Sequence, residues 1–354
     1  MKLFQRLLVA PAVLGLIAPF TAKATEVNLD AISNYHKDNI DINSKSFISN
    51  TENKELLLSG GFSDTTSASF GSTFYVGAVD GGTGAGTEKT TFDYQMGIGL
   101  ETSFTGEDSL GVTIDIGGGK ANTASVSTNQ TSVGAIMGLD ATEDVMTVDG
   151  IAYSFPLGGA TVLVGDNTDI SSLYTGACSY SAFTDYMGDC GTGNSVGVSG
   201  NGATAAISYA FDGGFSLAGG ISSQPDSILT EEGTDTFGVE AAYSADSYGV
   251  AVAYADAETT TYWGINGTYT FDFATISAGV ESEDAENADT KTGFFVGLSF
   301  AEVGPGTFDI GMATNGNFDD DTAETYIYEA SYAYPVNDGM TITPLIYSKE
   351  ATGA

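Results

Sequence analysis

Cationic side chains are scarce in this 354-residue chain: ten lysines and arginines stand against 46 aspartates and glutamates, and none falls between 121 and 290. Nucleic acid is thereby excluded as a partner, because phosphate binding draws on positive charge. Histidine occurs once, at His36, ahead of the patterned part of the chain. A serine nucleophile needs a positioned base, so the chain reads as a non-enzyme with no cofactor. Cysteine occurs twice, at Cys178 and Cys190, with no histidine near the pair, and this spacing does not make a zinc site. Beyond residue 24 no apolar run approaches the ~20 residues of a membrane helix. Long helix-forming stretches are missing too, while 47 glycines and many Tyr, Phe, Thr and Ser residues favour β structure.

The first 24 residues have the form of an export signal. Lys2 and Arg6 give a positive start, 7–20 a short apolar stretch, and Ala22-Lys23-Ala24 a small-x-small cleavage site. A membrane anchor fits less well, since the stretch is short and holds Pro11 and Pro19. Removing the signal takes away three of the ten basic residues and no acid, which leaves seven lysines and no arginine. An exported chain meets an oxidising compartment, where Cys178 and Cys190 are expected as a disulfide.

Residues 25–66 are polar and unpatterned and read as a periplasmic extension, with a weak extra strand or plug at 55–62. From 67 onward, period-two alternation sets in. In 91–104, Phe92, Tyr94, Met96, Ile98 and Leu100 fall on one face and Asp93, Gln95, Gly97, Gly99 and Glu101 on the other. Fifteen such strands are expected: 67–79, 91–104, 109–119, 146–155, 160–166, 203–211, 215–222, 236–245, 248–256, 261–271, 273–281, 292–300, 307–314, 324–334 and 340–349. Tight turns at 105–108, 156–159, 212–214, 246–247, 272, 301–306 and 335–339 alternate with long connections at 80–90, 120–145, 167–202, 223–235, 257–260, 282–291 and 315–323.

A soluble sandwich also alternates. Aromatic residues near the turns, small and polar residues on the opposite face, and strand lengths near ~9–11 residues tilt the expectation to an all-β, antiparallel, up-and-down transmembrane barrel over 67–354. Barrels of this type have even strand numbers, so the odd count predicts either a missed strand, for instance at 131–139, or a chain clipped before its closing strand.

From Asp140 onward the chain resembles the porins of marine cyanobacteria, a branch of the carbohydrate-selective porin superfamily. The stretches that carry the likeness are Thr147-Val-Asp-Gly-Ile-Ala-Tyr-Ser-Phe-Pro156, Val164-Gly-Asp-Asn-Thr168, the cysteine-bearing 173–190, Asp246-Ser-Tyr-Gly-Val-Ala-Val252, Val303-Gly-Pro-Gly-Thr307 and Tyr332-Ala-Tyr-Pro-Val-Asn-Asp-Gly-Met-Thr-Ile-Thr-Pro344, with Ala24-Thr-Glu-Val-Asn-Leu-Asp30 at the mature start. The resemblance implies about sixteen strands, a homotrimer in outer-membrane lipid, and passage of small hydrophilic solutes and inorganic ions. Two departures stand out. The aromatic-rich signature of a surface-layer-homology domain is missing from 25–66. The chain also stops at Lys349-Glu-Ala-Thr-Gly-Ala354, where relatives end in an aromatic closing strand, which favours the clipped reading.

The acids expected to line the lumen are Asp93, Glu101, Asp115, Glu240, Asp309 and Glu329. Carboxylates in a channel favour cations, which predicts a weak cation preference. The longest connection, 167–202, carries both cysteines together with Asp185 and Asp189; the family likeness implies that it folds inward as a constriction. The rival reading is a secreted or surface, acidic, calcium-binding adhesin. It lacks the repeated glycine-aspartate nonapeptides that such proteins need, since Asp80-Gly-Gly-Thr-Gly-Ala-Gly86 occurs once.

Overall fold

In the computed structural model, the described residues are 13–16, 66–79, 90–118, 136–139, 142–197, 202–224, 227–230, 233–319, 321 and 323–350. The cleavage site, the extension with His36 and 55–62, the glycine-rich 80–86 and residues 131–135 lie outside them. The chain forms one antiparallel sheet. Its strands are β1 (Val13–Leu16), β2 (Thr66–Ala78), β3 (Thr90–Thr102), β4 (Ser109–Gly118), β5 (Thr147–Leu157), β6 (Ala160–Asp166), β7 (Ala203–Ala210), β8 (Phe215–Ser223) and β9 (Asp235–Ser244). They continue with β10 (Tyr248–Ala257), β11 (Thr260–Thr270), β12 (Thr275–Ala285), β13 (Lys291–Val303), β14 (Gly306–Thr314), β15 (Tyr326–Asn337), β16 (Met340–Thr343) and β17 (Leu345–Lys349).

From β2 to β16 each strand pairs with the next in sequence, the up-and-down order of a barrel wall. Pro344 interrupts the last strand, and β17 continues the pairing with β15 beyond it. All fifteen expected strands are present, with bounds shifted by a few residues. The sixteenth is β1, which lies in the apolar stretch assigned to the export signal. It bonds β2 through Leu14↔Phe74 and β16 through Leu14↔Ile342, so it stands between the first and last strands of the repeat. The alternative at 131–139 is not a strand where it is described: 136–139 forms a turn, with Ile136 buried.

The sheet is inverted relative to a soluble protein. On β10, Val250, Val252 and Tyr254 are 38%, 47% and 43% exposed, while Ala251, Ala253 and Ala255 are buried. On β9, Phe237 and Val239 face out and Glu240 and Ala242 face in. A period of two sends the large apolar set to one side and the small and acidic set to the other. Water does not favour such an outer face; a bilayer does.

The tight-turn end carries a belt of aromatic pairs on the outer face. Tyr209 and Phe211, Phe215 and Tyr243, and Tyr269 and Phe271 each have ring centroids 4.6 Å apart. Two hairpins are tighter than the sequence suggests. β13 runs to Val303 and β15 to Asn337, because a register shift in each ladder absorbs the irregular residues, including Pro335. The turn before β4 is fixed by Asp108. Its Oδ1 accepts the Phe104 and Thr105 amides at 2.9 and 2.7 Å, and its Oδ2 accepts the Tyr153 hydroxyl at 2.6 Å. The Tyr153 hydroxyl, then Thr105 and Ser103, hold this carboxyl well below the usual carboxylate range.

Candidate functional site

The long connection after β6 does not leave the sheet; it crosses the inner face from β7 to β15. It contains two short 3-10 segments, Ile170–Leu173 and Asp185–Gly191, and one α-helical turn, Gly193–Val196. Its apolar residues find a core there. Ile170 packs with Ala206 and Ala255, Ala177 with Ala242 and Ala251, and Tyr180, Met187 and Cys190 with Phe295, Ala313 and Ile327. Small wall residues make the approach possible. A Cβ at Gly279 would collide with the Cys190 carbonyl oxygen, one at Gly264 with the Ser195 hydroxyl, and one at Gly297 with the Tyr180 ring. A Cβ at Gly311 would come within 2.7 Å of the Tyr180 hydroxyl. Four neighbouring strands, β11 to β14, thus each leave out a side chain where the segment lies.

Three wall carboxylates hold the segment down. Glu240 on β9 accepts the amides of Thr175 and Gly176 through Oε1 at 2.7 and 3.3 Å. Glu281 on β12 accepts the Ser195 amide through Oε2 and the Asn194 side-chain amide through Oε1, both at 2.7 Å. Glu329 on β15 accepts the Tyr180 hydroxyl and the Phe183 amide through Oε1, each at 3.0 Å, and the Thr184 amide and hydroxyl through Oε2 at 2.9 and 2.6 Å. All three residues are buried. No cation is among these partners; oriented N–H and O–H dipoles meet both oxygens of Glu281 and Glu329, the charge-assisted bonds that are the strong ones, and one oxygen of Glu240, whose Oε2 is buried without a hydrogen bond among the described residues.

Between the second and third clamps the backbone takes three consecutive left-handed conformations, at Asp189, Cys190 and Gly191 (φ +50°, +55° and +69°). The two non-glycine positions cost about 1–3 kcal/mol each. The strain is contained on several sides. Cys190 forms a disulfide with Cys178, their Cα atoms 5.7 Å apart. The Thr192 hydroxyl donates to the Asp189 carbonyl at 2.6 Å, and the Asn266 amide donates to that hydroxyl at 2.9 Å. The Asp189 side chain itself is exposed, yet the surrounding wall raises its carboxyl above the ordinary value. Asp185 lies in the same 3-10 segment.

The structure thus divides the six lumen acids of the sequence reading. Glu240 and Glu329 point inward, but their carboxylates meet the segment and not open space. Asp309 is buried on β14, opposite Ser299. Asp93 and Glu101 on β3 and Asp115 on β4 stand apart from the clamps, and Glu101 accepts the Ser109 hydroxyl at 2.7 Å. Sequence reasoning missed Glu281. The available signal was its place in the alternation of β12, opposite Gly293. Among the described residues no group of three His, Cys, Asp or Glu side chains could hold a metal ion. No helix there is long and apolar enough to cross a membrane, which does not bear on strands.

No protein-family model and no curated protein matches the chain. Solved structures do. A five-fold mutant of the Rh. blastica porin is 15% identical and aligns over 80% of this chain and 98% of its own, with a TM-score of 0.50. A three-fold mutant of the same porin is 16% identical over 80% of this chain and 100% of its own, with a TM-score of 0.49. At such identity the likeness concerns the fold alone: this chain has a porin-like, sixteen-stranded, up-and-down antiparallel fold.

Proposed function

We propose that the protein is an outer-membrane porin. It gives small hydrophilic solutes and inorganic ions a passive route between the inward segment and the wall of β2 to β5. The observation that carries this reading is the inverted sheet: large apolar residues such as Val239, Val252 and Trp263 lie exposed outside, and Glu240, Asn266 and Glu281 lie inside. The aromatic belt at the tight-turn end supports placement in a bilayer. Export through cleavage after Ala24, a homotrimeric assembly, and kinship with cyanobacterial carbohydrate-selective porins belong to the same reading. Cleavage there removes β1 and frees the β2 edge for another strand.

The passage is weakly cation-preferring. Asp93 and Glu101 stand on β3 and Asp115 on β4, with the exposed Asp189 on the segment. Lys291 is paired with Glu283 at 3.0 Å. Screening limits the effect, since the Debye length falls from ~10 Å at 0.1 M salt to ~3 Å at 1 M.

Conductance of the refolded protein in a planar bilayer tests this directly. Stepwise channels, with a cation-sided reversal potential under a salt gradient that shrinks at high salt, are expected. A protein that inserts without conducting removes the pore, and a reversal potential at zero in dilute salt removes the preference.

A further inference from the structure

One contact of the clamp leaves the segment. Glu281 Oε1 also accepts the side-chain amide of Asn317 at 3.3 Å, and the same Asn317 nitrogen lies 3.3 Å from Glu283 Oε2. Asn317 belongs to the connection between β14 and β15, at the long-connection end of the sheet, and contributes nothing to the wall itself. The connection is folded back to bring it there. Phe318 exchanges two backbone bonds with Thr292 at 2.8 and 3.0 Å, and the Asn315 amide donates to the Thr325 carbonyl at 2.8 Å. Gly293, the ladder partner of Glu281, leaves the space: a Cβ there would collide with Asn317 Oδ1.

Glu281 and Glu283 are two residues apart on one strand face, so their charges repel. Lys291 meets Glu283 at 3.0 Å, and the two N–H groups of the Asn317 amide reach one carboxylate each. The amide therefore fixes which way Glu281 points. Its other acceptor contacts hold the Asn194–Ser195 turn beside the left-handed Asp189–Gly191 bend. A neutral amide with two donors suits this place, whereas a carboxylate would add a third negative charge.

We propose that Asn317 is a positioning residue through which the β14–β15 connection sets the seat of the inward segment, and so the width of the passage. This rests on the porin reading above for its consequence, but not for its geometry. The chain of contacts runs from Thr292 and Phe318, through Asn317, to Glu281 and Ser195. Loosening the connection at one end of the barrel then releases the segment in the middle.

The test compares the refolded full chain with Asn317→Asp and with the double variant Asn317→Asp/Glu281→Gln, which restores a donor–acceptor pair between 317 and 281 with the roles exchanged and keeps one acceptor oxygen for the Ser195 amide. Amide hydrogen exchange is read at Ser195, held by Glu281, and at Thr184 and Thr175, held by the other clamps; bilayer conductance is read alongside. The expected result is exchange at Ser195 faster by about 2- to 30-fold in the single variant, the range that energetic coupling of this kind spans, with Thr184 and Thr175 unchanged and Ser195 restored in the double variant. Broader open-channel current with an unchanged thermal midpoint accompanies it. Unchanged exchange at Ser195 overturns the proposal, as does equal acceleration at all three amides, which is general loosening. Faster exchange confined to Ser195 in a protein that conducts no current upholds the contact chain and rejects the porin reading instead.

Discussion

Glu329 and Thr184 are 145 positions apart in sequence, yet the Thr184 amide and hydroxyl both donate to Glu329 Oε2, at 2.9 and 2.6 Å. The bond fastens the far end of the inward segment to the last long strand of the sheet. Hydrogen bonds to a charged acceptor contribute about 1.5–3 kcal/mol each. Removing Glu329 strands the Tyr180 hydroxyl and the Phe183 and Thr184 amides together. Glu329→Ala is therefore expected to lower stability by about 3 kcal/mol and to widen the fluctuation of single-channel current. Glu329→Gln keeps one acceptor oxygen and loses less. Thermal unfolding and channel recordings on both variants check the order.

Gly279 tests the glycine seat. Its missing side chain is where the Cys190 carbonyl oxygen sits, with the Thr192 methyl 3.1 Å from the same point. Both neighbours belong to the constrained bend, so neither yields easily. Gly279→Ala should cost about 1–3 kcal/mol, as overpacking does, and should shift conductance. A matching change at Gly71, where an added Cβ meets nothing within 4 Å, should leave the seating of the segment unchanged.

The disulfide restrains the segment at a sequence separation of 12. Cross-linking a loop of about this size is worth roughly 3 kcal/mol. Replacing both Cys178 and Cys190 by serine is expected to leave the barrel folded while raising hydrogen exchange in 175–192. A reductant should reproduce the effect on the wild-type protein and do nothing to the double variant.

Acid titration reports on Asp108. Its folded carboxyl titrates below the unfolded one, so it stabilises the fold above the unfolded value near 3.9. That stabilisation is lost as the pH falls through the lower folded value. Asp108→Asn should be less stable than wild type at neutral pH, and the two curves should converge only well below pH ~4. Unfolding midpoints measured across the acid range decide it.

The wall was legible in the alternation, and the inward course of 167–202 only through the family likeness; the contacts of that segment were not legible. Period-two alternation in β3, β4, β9 and β10 reads straight into faces, because each side chain answers only to inside or outside. The tight turns follow from residues such as Asp108 and Gly159, whose backbone needs are local. What Glu240 and Glu329 meet is another matter: an inward acid looks the same in sequence whether it faces water or backbone amides 65 and 145 residues away. The glycines of β11 to β14 read as open space for the same reason, although here they are the footprint of a packed segment. Their recurrence on successive strands was the one clue. The seam strand β1 escaped because Val13-Leu14-Gly15-Leu16 lies in the stretch that reads as an export signal and carries no alternation.

The central claim is the direction of the faces, and paramagnetic accessibility measures it most directly. Spin labels placed singly at Val112, Thr113, Ile114 and Val239 in the membrane-inserted protein can be probed with oxygen, which concentrates in lipid, and with a water-soluble nickel chelate. Oxygen should dominate at Val112, Ile114 and Val239, and the chelate at Thr113. Chelate access at Val239 and Ile114 together, with Thr113 shielded from both probes, would contradict a lipid-facing apolar side and the water-filled interior that depends on it.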